Sequence, residues 1–185
     1  LYSTSDPTEA MSLGENVAVM AEGRIVEIGK TEHVYTDPAH RLTMEQLGFP
    51  LPNFLQATCE SANGVMWAKT PLFDLEVADP DSLSSGDRVW IGIRPEHLRV
   101  GPLPSHRNED VAQRLAASIA LREDLGAEQI LYLEIGAEAM RSVARHEMDE
   151  HLKSDDVEIG VLPDECRVYH YETQDFVSVG KRITA

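Results

Sequence analysis

Hydrophobic and polar positions divide the chain into two textures. Over residues 1–50 helix and strand patterns alternate. Asp6-Pro7-Thr8-Glu9 predicts a helix start. Asp6 serves as the cap, Pro7 suits the first helical position, and Glu9 reaches back as in a capping box. Ala10, Met11 and Leu13 supply the apolar positions, and Gly14 ends the helix. Val17–Met20 reads as a buried strand, Ala21-Glu22-Gly23 as a turn, and Arg24–Ile28 as the returning strand of a hairpin. Thr31–Tyr35 is a short helix stopped near Pro38, and Leu42–Leu47 another, ended by Gly48. Gly48-Phe49-Pro50-Leu51-Pro52 is too rich in proline for helix or central strand and reads as a linker.

From Asn53 onward short apolar runs recur between Gly, Pro, Asp and Asn. They are Phe54–Cys59, Val65–Ala68, Leu72–Val77, Val89–Ile93, Ala117–Leu121, Ile130–Ile135, Met140–Ala144, Val157–Leu162 and Cys166–Tyr171. Many short strands at regular spacing predict a β-barrel or sandwich. Gly101–Asp110 is a polar, proline-containing loop between two groups of strands.

Composition narrows the function class. The chain has 185 residues, 42% hydrophobic and 26% charged, which is globular in character. Its formal charge is −16, shared by both textures. That balance argues against nucleic acid and against an anionic lipid surface, because both need clustered Lys and Arg. The two cysteines, Cys59 and Cys166, have no metal-ligand spacing and are too few for a disulfide scaffold, so a reduced, cytoplasmic setting is expected. No apolar run approaches the ~20 residues of a membrane helix. The chain starts at Leu1 without a signal-peptide pattern and reads as a piece of something longer.

Two motifs fail on spacing. Gly29-Lys30-Thr31 suggests a phosphate loop, but Arg24 stands where the first glycine must be, and a hairpin strand precedes it. A strand end and turn is the better reading. His146 and His151 stand five apart, whereas a zinc-binding helix needs four to share one face, so a solvated polar segment is expected. Paired acids such as Asp155-Asp156 and Glu123-Asp124 read as solvated faces.

Residues 88–97 are more informative. Val89, Ile91 and Ile93 alternate as on a half-buried strand, with Trp90 and Arg94 opposite. Gly92 marks a bulge or a close backbone approach, and Pro95 stops the strand. Arg94 and Glu96 share a nominal face, where they form a structural clamp or bind a polar partner.

Taken in order, these segments resemble one family. Leu1–Met11 resembles the segment around the switch histidine of ABC-transporter ATPases, and Val19–Gly29 the hairpin after it. Val34-Tyr35-Thr36-Asp37-Pro38-Ala39 resembles the family's "YxxPA" helix end, and Gly48–Leu55 the exit from the ATPase domain in carbohydrate importers. Gly92-Ile93-Arg94-Pro95-Glu96-His97 resembles the most specific motif of the C-terminal TOBE domain. Glu123-Asp124-Leu125-Gly126-Ala127-Glu128 matches a second TOBE motif, and Val168–Tyr171 the last strand.

The resemblance implies the ATP-binding subunit of an importer like those for maltose or glycerol-3-phosphate. Residues 1–50 would be the end of the P-loop ATPase domain. Residues 51–185 would be an OB-fold-like TOBE barrel of short antiparallel strands, making the chain mainly β. The parent would use ATP and Mg, dimerise, and dock on permease subunits at the inner face of the membrane. This chain lacks the Walker A and B segments, so no cofactor and no catalysis of its own are expected. Its site residues would be Ser5, at the switch-histidine position and therefore impaired, and the motif residues Gly92, Arg94, Pro95, Glu96, His97, Glu123 and Gly126. A serine there is shorter than histidine and carries no charge, which weakens positioning at the γ-phosphate. Two other function classes were open on the sequence: an oxyanion-binding OB-like sensor, and a small hydrolase using the acidic pairs and histidines. The hydrolase lacks any nucleophile motif.

Overall fold

The structure is a computed structural model that describes residues 1–101, 113–145, 152 and 154–181. Its elements run α1 (Pro7–Leu13), β1 (Asn16–Ala21), β2 (Arg24–Lys30), α2 (Thr31–Thr36), α3 (Arg41–Gln46), β3 (Asn53–Ala62), β4 (Val65–Lys69), β5 (Asp74–Glu76) and β6 (Arg88–Ile93). They continue with β7 (Leu98–Val100), β8 (Gln113–Asp124), β9 (Glu128–Ile135), β10 (Glu138–Arg145), β11 (Asp156–Val161), β12 (Arg167–His170) and β13 (Phe176–Val179). The fold is mainly β, as the strand spacing predicts, with curled antiparallel sheets of the OB-like character that the family resemblance implies.

The Asp6 carboxylate accepts from the amides of Thr8 and Glu9 at 2.7 and 3.2 Å, so it caps α1 as expected. Glu9 does reach back, but to the Thr4 hydroxyl at 2.7 Å, because that hydroxyl already accepts from the Asp6 amide. Gly14 ends α1 in an extended conformation, so no left-handed cap forms. β1 and β2 pair as a hairpin through a turn at Glu22 and Gly23, both with positive φ. The hairpin and helices share a small core of Val19, Val34 and Leu47.

The β-rich part consists of two sheets. One has the order β13-β12-β6-β3-β4-β5, the other β10-β9-β8-β11-β7. Their facing sides enclose one core that includes Leu75, Val89, Ile91, Leu131, Ile159 and Val161, each essentially without solvent contact. The two sheets repeat one another. Strands β3, β4, β5, β6 and β12 correspond in order to β8, β9, β10, β11 and β7.

The hinge of the repeat is a strand–turn–strand unit that occurs twice. In the first copy β6 leads through a 3₁₀ turn at Pro95–His97 into β7; in the second β11 leads through Pro163–Glu165 into β12. The sequences align as Gly92-Ile93-Arg94-Pro95-Glu96-His97-Leu98-Arg99-Val100 and Gly160-Val161-Leu162-Pro163-Asp164-Glu165-Cys166-Arg167-Val168. Each proline begins its turn, where its missing N–H costs nothing. Each unit sends its last strand into the other sheet. Gly92 faces Arg167 in one sheet, and the equivalent pair Gly160–Arg99 faces in the other. Ile91–Val168 and Ile159–Val100 repeat the relation. The registers coincide, so the two halves are related by a pseudo-two-fold with strands exchanged.

Asn53 closes the seam between the sheets. Its side-chain amide donates to the Arg141 carbonyl at 2.8 Å, and its Oδ1 accepts from the Arg141 amide at 2.6 Å. A side chain thus supplies the pairing that a neighbouring strand would give to β10.

Several strand boundaries differ from the pattern. β5 is confined to Asp74–Glu76, because Thr70 turns the chain by bonding the amides of Leu72 and Phe73. Leu162 and Cys166 fall outside strands because the 3₁₀ turn lies between them. β7 and β13 were not expected: three and four residues are too short to show alternation. The loop expected at Gly101–Asp110 lies, after Gly101, outside the described residues. His146 and His151 lie outside them too. No described helix is long and apolar enough to cross a membrane.

Candidate functional site

The motif Gly92–His97 leaves the edge of the barrel and meets α2. β6 buries Val89, Ile91 and Ile93 in the core, so Trp90 and Gly92 face outward. The close approach expected at Gly92 is present, and β6 carries no bulge there. A Cβ on Gly92 would lie 2.7 Å from Met44 Sδ and 2.9 Å from the Phe54 ring. Met44 of α3 is 1% exposed and also receives the Tyr169 hydroxyl at 3.5 Å. The missing side chain at position 92 is therefore what lets α3 seat on the sheet.

Arg94 is 4% exposed, although it stands just past the strand end. Its guanidinium lies 3.8 Å from the centre of the Tyr35 ring, and its Nη2 donates to the Tyr35 carbonyl at 2.7 Å. A desolvated cation–π contact of this kind is worth about 2 kcal/mol. The Tyr35 hydroxyl donates to Glu96 Oε1 at 2.8 Å. Arg94 and Glu96 therefore do not form the expected clamp with each other; both hold Tyr35 instead. Burial, supported by the Glu96 carboxylate and opposed by Arg94, pushes the Tyr35 phenol up to about 12. The expected "YxxPA" segment and the "GIRPEH" segment are thus the two halves of one contact.

The same docking extends along the chain. Arg167 donates to the Thr36 carbonyl and to Asp37 Oδ1, both at 2.8 Å. The Phe176 amide donates to the Ala39 carbonyl at 2.8 Å, and the Arg41 amide to the Gln174 carbonyl at 2.8 Å. Arg41 lies 4.9 Å from the Phe54 ring centre and 5.3 Å from that of Trp90, which stacks on Tyr171 at 5.2 Å. On the pseudo-equivalent face of the other sheet Glu158 stands for Trp90 and Arg114 for Phe54, and these two pair at 2.7 Å. The halves share a backbone plan, and their side chains differ where the helices dock.

Pro95 is buried at the start of its turn. His97 Nδ1 lies 3.0 Å from Glu165 Oε2. Glu123 and Gly126 sit apart from this cluster, at the β8–β9 hairpin. Gly126 has φ +93 and donates its amide to Asp124 Oδ1 at 2.8 Å, and Glu123 Oε2 accepts from the Tyr132 hydroxyl at 3.0 Å. Ser5 is exposed, immediately before the Asp6 cap. No hydrogen bond or ion pair among the described residues joins Leu1–Leu13 to Gly92–His97. The pseudo-repeat in Gly160–Val168 escaped the sequence reading; the shared Gly, Pro, Arg and Val at fixed offsets were the available signal.

Gly29-Lys30-Thr31 does not form a phosphate loop. Gly29 and Lys30 finish β2, and Thr31 begins a helix of six residues. Its amide donates to the Glu15 carbonyl at 3.0 Å and its hydroxyl to the Gly14 carbonyl, so neither is left for a phosphate. No group of three or more His, Cys, Asp or Glu among the described residues is placed to hold a metal ion. Burial pushes the Cys59 thiol up to about 11 and raises that of Cys166 further, which disfavours the thiolate at both.

Comparison with known proteins places this fold. Residues 91–168 match the TOBE domain family. The chain is 33% identical over 135 residues to the sn-glycerol-3-phosphate import ATP-binding protein UgpC of Chromohalobacter salexigens, covering 73% of this chain and 34% of that one. It is 29% identical over 177 residues to the maltose/maltodextrin import ATP-binding protein MalK of Mannheimia succiniciproducens, covering 91% and 45%. To the trehalose import ATP-binding protein SugC of Mycobacterium tuberculosis it is 30% identical over 155 residues, covering 81% and 38%. The chain spans between about a third and a half of the length of these relatives. A solved structure of the cytoplasmic molybdate-binding protein ModG superposes with a TM-score of 0.52 at 13% identity, covering 63% of this chain and 94% of that one, which reflects the fold alone. The chain resembles the C-terminal part of ABC importer ATP-binding proteins, and the two aligned segments Gly92–Val100 and Gly160–Val168 lie within the TOBE match.

Proposed function

We propose that the chain is the C-terminal regulatory and dimerisation portion of the ATP-hydrolysing subunit of an ABC importer for a carbohydrate or sugar phosphate. The single observation that carries this reading is the likeness to sugar and sugar-phosphate import ATP-binding proteins over most of the chain. The clamp of Tyr35 by Arg94 and Glu96 fits it, since it ties the segment resembling an ATPase domain to the TOBE-like barrel. Residues 1–50 complete the ATPase domain of the parent, and residues 51–185 form its regulatory barrel.

In such a parent, ATP and Mg would be held by ATPase-domain residues outside this chain and would supply the phosphoryl-transfer chemistry. The part played by the present residues is positional. Asp6 and Glu9 order the segment carrying Ser5, and Ser5 would offer a short neutral hydroxyl where the family resembled has its switch histidine. The barrel holds two copies together as a two-fold dimer while the ATP sites open and close. The complex sits on permease subunits at the cytoplasmic face of the membrane and binds no nucleic acid, in keeping with a charge of −16.

Co-purification of the full-length subunit with its permease pair, and transport assayed in reconstituted vesicles, tests the reading. Sugar-stimulated ATPase supports it. A subunit that never associates with a permease overturns it. Calorimetry of the present chain with molybdate tests the oxyanion-sensor alternative in parallel: tight binding would favour that reading.

A further inference from the structure

We infer that Arg94, Tyr35 and Glu96 form a coupling joint through which the barrel controls the order of the N-terminal hairpin. All of its contacts lie within this chain, so the joint is independent of the transporter reading.

The helix pair α2–α3 is a layer with two working sides. One side belongs to the hairpin. Val34 is 1% exposed in the small core with Val19 and Leu47. The Ala39 amide donates to both carboxylate oxygens of Glu27 at 3.0 Å, Gln46 donates to the Met20 carbonyl at 3.2 Å, and the Thr31 amide bonds the Glu15 carbonyl. The other side belongs to the barrel, where Tyr35 meets Arg94 and Glu96, and Met44 sits over Gly92.

Val34 and Tyr35 are consecutive, and a helix turns about 100° per residue. They therefore point to different partners from one turn of helix. α2 has six residues, too few to be stable without tertiary contacts. The β1–β2 hairpin is a two-stranded sheet of its own, which is marginal when isolated. Each thus depends on the next: the hairpin on Val34, the helix on Tyr35, and Tyr35 on the barrel.

Arg94 is the specific element of the joint. Its planar guanidinium stacks on the Tyr35 ring and reaches the Tyr35 carbonyl at once, which a lysine ammonium does not reproduce. Among the described residues it makes no ion pair, so its burial is committed to Tyr35.

Hydrogen–deuterium exchange on the full 185-residue chain tests the joint. In Arg94→Lys, exchange across residues 16–30 should rise at least tenfold, while that of residues 113–135 in the second sheet holds. Tyr35→Phe and Glu96→Leu each remove the same hydrogen bond, so each should raise hairpin exchange by a smaller factor, and the double variant no more than the larger single. Unchanged hairpin exchange in a folded Arg94→Lys chain would overturn the inference. So would an equal rise in the hairpin and the second sheet. If Arg94→Lys does not fold, the Tyr35→Phe and Glu96→Leu cycle decides, with additive effects counting against the joint and shared effects for it.

Discussion

His97 Nδ1 lies 3.0 Å from Glu165 Oε2, and the two residues hold the same position in the two copies of the strand–turn–strand unit. The contact marks where the two halves meet about their pseudo-two-fold. Both side chains are a third or more exposed. An exposed pair contributes between about 0.2 and 1 kcal/mol. His97→Ala should therefore lower stability by less than about 1 kcal/mol, measured by urea denaturation, although it lies in the most distinctive motif of the sequence.

Gly92→Ala should cost far more. The added methyl would press on Met44 Sδ and the Phe54 ring, both held between sheet and helix. Overpacking a close-packed site costs about 1–3 kcal/mol. A thermal melt should show that loss, and Met44→Ala in the same chain should recover part of it. An undisturbed melt would mean that α3 does not seat on Gly92.

Asn53 tests the seam. Asn53→Leu keeps the branched shape but removes both bonds to the Arg141 peptide, leaving a part-buried donor and acceptor unpaired. Each such group costs about 1–3 kcal/mol. We expect a loss of at least about 2 kcal/mol, with faster amide exchange at Arg141 and unchanged exchange in the β1–β2 hairpin.

Strand exchange makes each half depend on the other. A fragment ending within residues 102–112 carries β7 without the sheet it completes, and its complement carries β12 likewise. Fragments 1–106 and 107–185 should be largely unfolded alone and regain β-sheet circular dichroism when mixed. Independent folding of either would contradict the exchange.

Tyr35 gives a pH signature. Its phenol is raised in the folded state to about 12, while the unfolded chain ionises near the ordinary value of about 10. The unfolded state therefore loses its proton first as pH rises. The stabilisation is complete below the unfolded value and fades as pH climbs through the folded one. Stability should fall between pH ~10 and ~12, and Tyr35→Phe should flatten that part of the decline. A phenolate absorbance titration of both chains checks it.

The helix start at Asp6, the hairpin, and the alternation of Val89, Ile91 and Ile93 were legible because each is a local pattern with a local cause. The Glu9 bond was misplaced because Thr4, outside the pattern, competed for it. β7 and β13 were hidden because their reason for being strands is a partner far away in sequence. The candidate motif was legible as a clamp, but not its object: nothing local to Arg94 and Glu96 names a tyrosine some sixty residues earlier.

The sequence alone determined the class of the molecule. Residue spacing predicted short antiparallel strands after a helix–hairpin segment, and the charge of −16 set the expectation about its partners. The order of its motifs supplied the resemblance to importer subunits. Tertiary structure decided three things: the exchange of β7 and β12 between halves, the seating of Met44 on Gly92, and the meeting of Tyr35 with Arg94 and Glu96. Each is a contact between segments that sequence keeps apart. Such contacts follow from how two sheets close around one core, which no short stretch of chain encodes.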